Sequence, residues 1–115
     1  MEAPNTPLFV KTHDFVVWLL THTQRFPKHF RYSYTHRLES LIFEFQEAIL
    51  MANAARGNRR LAYLELADGK LLCVRALLRY ALDFKLLGGG QLKFAAQCVD
   101  ELGRLLGAWK KGTDR

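Results

Sequence analysis

Apolar residues recur along this chain at steps of three and four rather than two, the spacing of one face of an α-helix. Four stretches carry that spacing. The first, residues 9–25, holds Phe15, Val16, Trp18 and Leu19, with Phe26 just beyond it, and Pro27 forbids its continuation. A short basic connector, Pro27-Lys28-His29-Phe30-Arg31, leads to the second stretch, residues 33–56. There Leu38, Leu41, Ile42, Phe45, Ile49 and Ala52 form one stripe, and Glu39, Glu44 and Glu47 lie mainly off it. Gly57-Asn58 reads as a left-handed stop.

The third stretch, residues 59–87, is the most apolar. From Leu71 to Leu87 its only charges are Arg75, Arg79, Asp83 and Lys85, and the first three step by four into a narrow ridge. Leu71, Leu72, Val74, Leu77, Leu78, Tyr80, Leu82 and Phe84 cover most of the remaining circumference. A helix at the edge of a lone bundle needs a single apolar face, so a second surface here calls for a cover, most simply another copy of the chain. Leu72, Leu77, Tyr80 and Phe84 are the candidate contacts.

Gly88-Gly89-Gly90 reads as the stop of this helix. The fourth stretch, residues 91–110, turns Phe94, Cys98, Leu102, Leu105, Leu106 and Trp109 inward. Gly103 and Gly107, four apart, would allow close helix approach at a propensity cost of about 1 kcal/mol each. Short connections favour antiparallel neighbours, so the expected fold is all-α, an up-down-up-down antiparallel four-helix bundle over residues 9–110. Residues 1–8 are expected to be flexible and residues 111–115 frayed.

With 115 residues the chain suits one domain, and 50% hydrophobic with 24% charged residues speaks for a folded one. The opening residues lack a basic then apolar leader, and no run approaches the ~20 apolar residues of a membrane span, so no membrane partner is expected. The two cysteines, Cys73 and Cys98, make no disulfide framework, and a cytoplasmic protein with reduced thiols is the expectation. If the intervening turn centres near residue 88, the pair is offset by five residues. That is about 7–8 Å along the helix axes, too far for a bridge, and both read as small core residues.

Familiar catalytic patterns are missing. The triple glycine is followed by Gln-Leu-Lys rather than Gly-Lys-Ser/Thr and follows no strand. His22, His29 and His36 are seven apart, but Pro27 interrupts any helix through them and neither a cysteine pair nor HExxH accompanies them. Glu44 and Glu47 read as solvated rather than as an acid–base pair, and the Glu-x-x-His pattern of di-iron bundles does not occur. No metal, no cofactor and no enzymatic activity are expected.

Charge points elsewhere. Lys and Arg number 17 against 11 Asp and Glu, a net charge of +6, which favours polyanionic partners. The expected topology gathers Arg56, Arg59 and Arg60 near Lys110 and Lys111 at one end, and with Arg75 and Arg79 these are the candidate nucleic-acid or polymerase contacts. The opposite end carries Arg25, Lys28, Arg31, Arg37 and Lys85. Phe30, Tyr32 and Tyr34 beside it could stack on bases, though helix packing explains them at least as well. No groove-reading motif is present, so little base-specific reading is expected.

Phe26-Pro27-Lys28, Arg31-Tyr32, Thr35 and Leu38 resemble the helix 1–2 segment of four-helix proteins related to the 23S rRNA intervening-sequence protein. Within that group, Leu77-Leu78-Arg79-Tyr80-Ala81 with Leu86-Leu87, and Ala95-Ala96 with the run from Val99 to Trp109, resemble the Avd family, the accessory variability determinants of diversity-generating retroelements. The similarity covers roughly residues 10–110 and departs at the triple-glycine turn, where a Ser/Pro-containing turn would be usual. The resemblance implies a homopentameric barrel of basic protomers that associates with a reverse transcriptase, its template RNA and the cDNA during mutagenic retrohoming. The error-prone chemistry would be the polymerase's, and this chain a non-enzymatic scaffold. A structural oligomer of the intervening-sequence type, with no polymerase partner, is the alternative.

Overall fold

A computed structural model describes residues 5–113, which form four long helices in a body about 45 Å long and 24 by 21 Å across. Among the described residues there is no strand. The helices are α1 (Thr6–Thr23), α2 (His36–Ala54), α3 (Gly57–Asp83) and α4 (Gly89–Thr113). Between α1 and α4, and between the α2 segment and α3, contacts climb one helix while descending the other, as antiparallel neighbours do. Tyr34, just before α2, meets Leu77 of α3 and Glu44 of α2 meets Lys70, Arg75 meets Asp100 between α3 and α4, and Phe9 meets Trp109 while Trp18 meets Phe94 between α1 and α4.

The periodic stripes make most of the core, although Phe94, expected to turn inward, is exposed and Trp18, Leu41, Cys98 and Leu105 are only half-buried. Leu38, Ile42, Phe45, Ile49 and Ala52 of α2 are all buried, against Phe15 and Leu19 of α1, Leu71, Val74 and Leu78 of α3, and Val99, Leu102 and Leu106 of α4. Leu64, Ala67 and Ala81 complete the buried face of α3, but one side of the helix and the residue after it are not covered by its neighbours. Leu72 is 66% exposed, Tyr80 51% and Phe84 43%, while Leu77 is half-buried against the core. Cys98 is half-buried on α4, but Cys73 is exposed on α3 and is not the core residue its neighbours suggested; both thiols are free.

The helix ends differ from expectation for identifiable reasons. Helix α1 begins at Thr6, with Pro7 in its first turn, because burying Leu8 draws that turn onto the body. At its other end the Thr23 hydroxyl donates to the Glu39 carboxylate at 2.5 Å, tying α1 to α2 across the connector. That connector is a 3-10 turn at Lys28–Phe30 running into a π-helical turn at Arg31–Thr35, so regular α2 starts only at His36. Helix α4 continues to Thr113; of the ends expected to be loose, 1–8 and 111–115, residues 1–4 and 114–115 lie outside the described residues.

The triple glycine does not end α3. The helix stops at Asp83, and Lys85, not a glycine, takes the left-handed conformation (φ 58°). The Leu86 amide then donates to the Ala81 carbonyl at 2.8 Å and the Lys85 amide to Leu82 at 3.0 Å, a complete Schellman motif. The glycines instead open α4. The Gly88 amide donates to the Gln91 side chain at 3.0 Å, one half of a capping box, and the Gly88 carbonyl accepts the first helical bond from Leu92 at 2.9 Å. Gly57, at φ 57°, does supply the expected left-handed residue, as the first residue of α3 rather than the last of α2.

Candidate nucleic-acid interface

The start of α1, the α2–α3 turn and the end of α4 meet at one end of the body. Asn5, Asn53, Gly57, Arg60, Trp109 and Thr113 line an open cavity there of about 580 Å³. Arg56, Arg59, Lys110 and Lys111 adjoin it in the chain. These cations do not all face solvent freely. Arg60 donates from Nε to the Ala52 carbonyl at 2.9 Å and from a terminal nitrogen to Asn53 at 3.3 Å, and its guanidinium lies over the Trp109 ring. Arg56 donates to the Ala55 carbonyl at 3.0 Å. Both arginines thus satisfy carbonyls at the C-terminal end of α2, where a cation is favourable. Arg59 and Lys111 are exposed and Lys110 half-buried, and among the described residues none of the three has an ion-pair partner.

Arg75 and Arg79 stand apart from that group. Arg79 lies 20 residues along α3 from Arg59, about 30 Å at ~1.5 Å per residue. Arg75 pairs with Asp100 of α4 instead of standing in a ridge with Asp83, so its charge is already answered. Arg79 shares a shallow cavity with Ala76, Tyr80 and Asp83.

The opposite end is better assembled than its sequence suggests. Arg25 and Lys85 line one cavity of about 330 Å³, and Arg37 lines another of about 300 Å³; Phe84 is a wall of both. Lys28 and Arg31 flank Phe30 in the connector, and all five cations are exposed. Phe84 brings an aromatic cluster together. Its ring lies 4.9 Å from Phe30 and 5.9 Å from Tyr80, and Tyr34 packs edge-on against both Tyr80 and Phe84. Tyr34 is fixed by a 2.6 Å hydrogen bond from its hydroxyl to the Leu77 carbonyl. Burial pushes that hydroxyl's pKa up to about 12, against a smaller opposing pull from the Ala81 backbone.

A further cavity, of about 310 Å³, lies between α1 and α4, with Lys11, Asp14 and Glu101 around Phe15, Trp18 and Phe94. Glu101 is engaged by Arg104 at 2.6 Å, and that hydrogen bond holds its pKa below the usual carboxylate range. Burial raises the Cys98 thiol, which Lys11 partly offsets. Glu44 pairs with Lys70 at 2.8 Å. Among the described residues no group of three or more His, Cys, Asp or Glu could hold a metal ion, and no helix is long and apolar enough to cross a membrane.

The bAvd-like family profile matches residues 8–113, from the buried Leu8 to the end of α4. The chain belongs to the bAvd-like family. A search of characterised proteins found no match. The bAvd-like assignment agrees with the Avd resemblance carried by the third and fourth helices, and it makes this an accessory protein of the Avd type.

Proposed function

We propose that this bAvd-like protein is a non-enzymatic accessory subunit of a diversity-generating retroelement. Its protomer is an up-down-up-down four-helix bundle, and copies assemble into a homopentameric barrel in the cytoplasm. The barrel holds the reverse transcriptase together with template RNA and cDNA during mutagenic retrohoming. Membership of the family over nearly the whole chain carries the reading. The net charge of +6 supports an anionic partner, and the exposed apolar side chains of α3 support self-association through Leu72 and its neighbours. Exposed Leu66 and Cys73, spaced seven residues apart, extend the same helix surface toward the start of α3.

Co-purification with the neighbouring reverse transcriptase, with and without template RNA and across a salt series, tests this. Retention should fall steeply with salt. Arg59→Glu with Lys110→Glu and Lys111→Glu should abolish it while sedimentation stays that of the oligomer. Arg56 and Arg60 are poor probes, because their substitution also uncaps α2. A stable oligomer that retains neither polymerase nor RNA would instead fit the intervening-sequence type.

A further inference from the structure

Three rings at the connector end lie close to parallel. Phe30 and Phe84 are inclined by 29°, Phe84 and Tyr80 by 21°. Tyr34 props this ledge edge-on from beneath, locked by its bond to Leu77. A core needs no such ledge at its surface, yet Tyr80 and Phe84 stay about half exposed. They border a cavity of about 300 Å³ whose polar lining is Ser33 and Arg37. That volume is at the small end for ligand sites and suits one planar ring system. The π-helical turn Arg31–Thr35, which supplies Ser33 and Tyr34 to the cavity, is a backbone irregularity frequent at functional sites. Arg37 lines it, Arg25 and Lys85 line the adjoining cavity that shares Phe84, and Lys28 and Arg31 flank Phe30 in the chain, with Asp83 the acid nearest in the chain to Phe84. Tyr32, 87% exposed, offers a further ring beside the cations.

We propose that this cleft binds an unpaired nucleobase of a single-stranded nucleic acid, the base stacking on the Tyr80 and Phe84 rings and the flanking phosphates meeting the surrounding cations. Aromatic faces with interleaved cations are how single strands are held without sequence preference. The site deepens the accessory-subunit reading and rests on it, but lies at the other end of the body from Arg59 and Lys111. It gives the protein a means of distinguishing unpaired strands from duplex, which phosphate contacts alone do not provide.

The test compares four labelled probes of equal length: a single-stranded RNA, the same sequence as single-stranded DNA, a duplex, and a strand whose central nucleotides are abasic. Both intact single strands should bind more tightly than the duplex and the abasic strand. Tyr80→Leu with Phe84→Leu keeps the apolar bulk and removes the aromatic faces. It should weaken the intact strands about five-fold or more and leave the abasic strand unchanged. Arg59→Glu with Lys111→Glu should weaken intact and abasic strands alike, which separates the phosphate-binding reading from the base site. Equal affinity for intact and abasic strands, or an unchanged intact strand in the leucine variant, overturns the proposal. So does loss of the oligomer in that variant, which would assign the rings to a second copy. If the full-length oligomer binds none of the probes, both this proposal and direct nucleic-acid contact fail. Tyr80→Leu alone, at a half-exposed position, repeats the measurement should the double variant lose its helical circular dichroism.

Discussion

The guanidinium of Arg60 sits 5.7 Å from the centre of the Trp109 ring, between the end of α2 and the end of α4. It occupies the first turn of α3, where the helix dipole disfavours a cation, and gains more by reaching the carbonyls of Ala52 and Asn53 at the negative end of α2. Charge-assisted bonds of this kind and a cation over an indole outweigh the first-turn penalty. Arg60→Ala should therefore cost about 2 kcal/mol of stability in urea unfolding. Arg59→Ala, next in the chain but without a partner among the described residues, should leave the midpoint within about 0.5 kcal/mol. Equal costs would mean that the capping contacts contribute nothing.

Lys85 holds a conformation that costs a side chain with a Cβ about 1 kcal/mol. The Schellman bonds of Leu86 and Lys85 maintain it, since they close α3 and deliver Leu87 to the core. Lys85→Gly should raise stability by about 1 kcal/mol, read as a higher denaturation midpoint with an unchanged slope. A loss of stability would show that the Lys85 side chain does more for the fold than its backbone strain takes away.

Lys85 also shows where sequence stops being informative. Most of the α2 stripe was legible, because Leu38, Ile42, Phe45, Ile49 and Ala52 obey helical spacing and are buried, while Leu41 is only half-buried and the buried Ala48 was not in the stripe. The end of α3 was not, because three consecutive glycines are a stronger local stop signal than a lysine, and tertiary burial of Leu87 decided otherwise. The π-helical turn at Arg31–Thr35 adds a residue to the backbone ladder without disturbing the apolar pattern, so it leaves no trace in spacing. Phe84 looked like one more greasy position on α3; its meeting with Phe30, 54 residues earlier, is a contact that no local window contains. The capping of α2 by Arg56 and Arg60 did have a signal, arginines placed directly after a helix end, but it is the same signal that a phosphate-binding cluster gives.

The Tyr34 hydroxyl gives the fold a dependence on alkaline pH. In the unfolded chain it ionises near its ordinary value of 10.0, whereas burial holds it near 12 in the folded protein. Between those values the folded state keeps a proton that the unfolded state has lost. The stability contributed by this group is complete below pH 10, and it is lost as pH rises toward 12. Tyr34→Phe should cost about 1 kcal/mol at neutral pH, through the lost bond to Leu77. Over the alkaline window its stability should fall less steeply than that of the parent. Parallel pH profiles for the two chains would refute the assignment, whatever the other tyrosines and lysines contribute.

Gly103 and Gly107 look in sequence like a seam for close helix approach, and the packing of the protomer does not require them to be glycine. A Cβ at Gly103 would lie 3.6 Å from a Leu71 methyl and 3.7 Å from an Arg75 nitrogen, ordinary contact distances, and one at Gly107 would meet nothing within 4 Å. Glycine inside a helix still carries its propensity cost. For the lone protomer, Gly103→Ala and Gly107→Ala should each add up to about 1 kcal/mol, measured by denaturation at concentrations too low for assembly. At high concentration the two sites separate. Gly103 is half-buried against α3, so its alanine should keep the gain, whereas Gly107 is exposed and any surface that packs closely on it lies outside the protomer. If copies of the chain approach α4 there, Gly107→Ala should shift sedimentation toward smaller species while Gly103→Ala does not. An unchanged oligomer in the Gly107 variant would remove that face from the self-association surface and leave the exposed apolar side of α3 as the place where copies join.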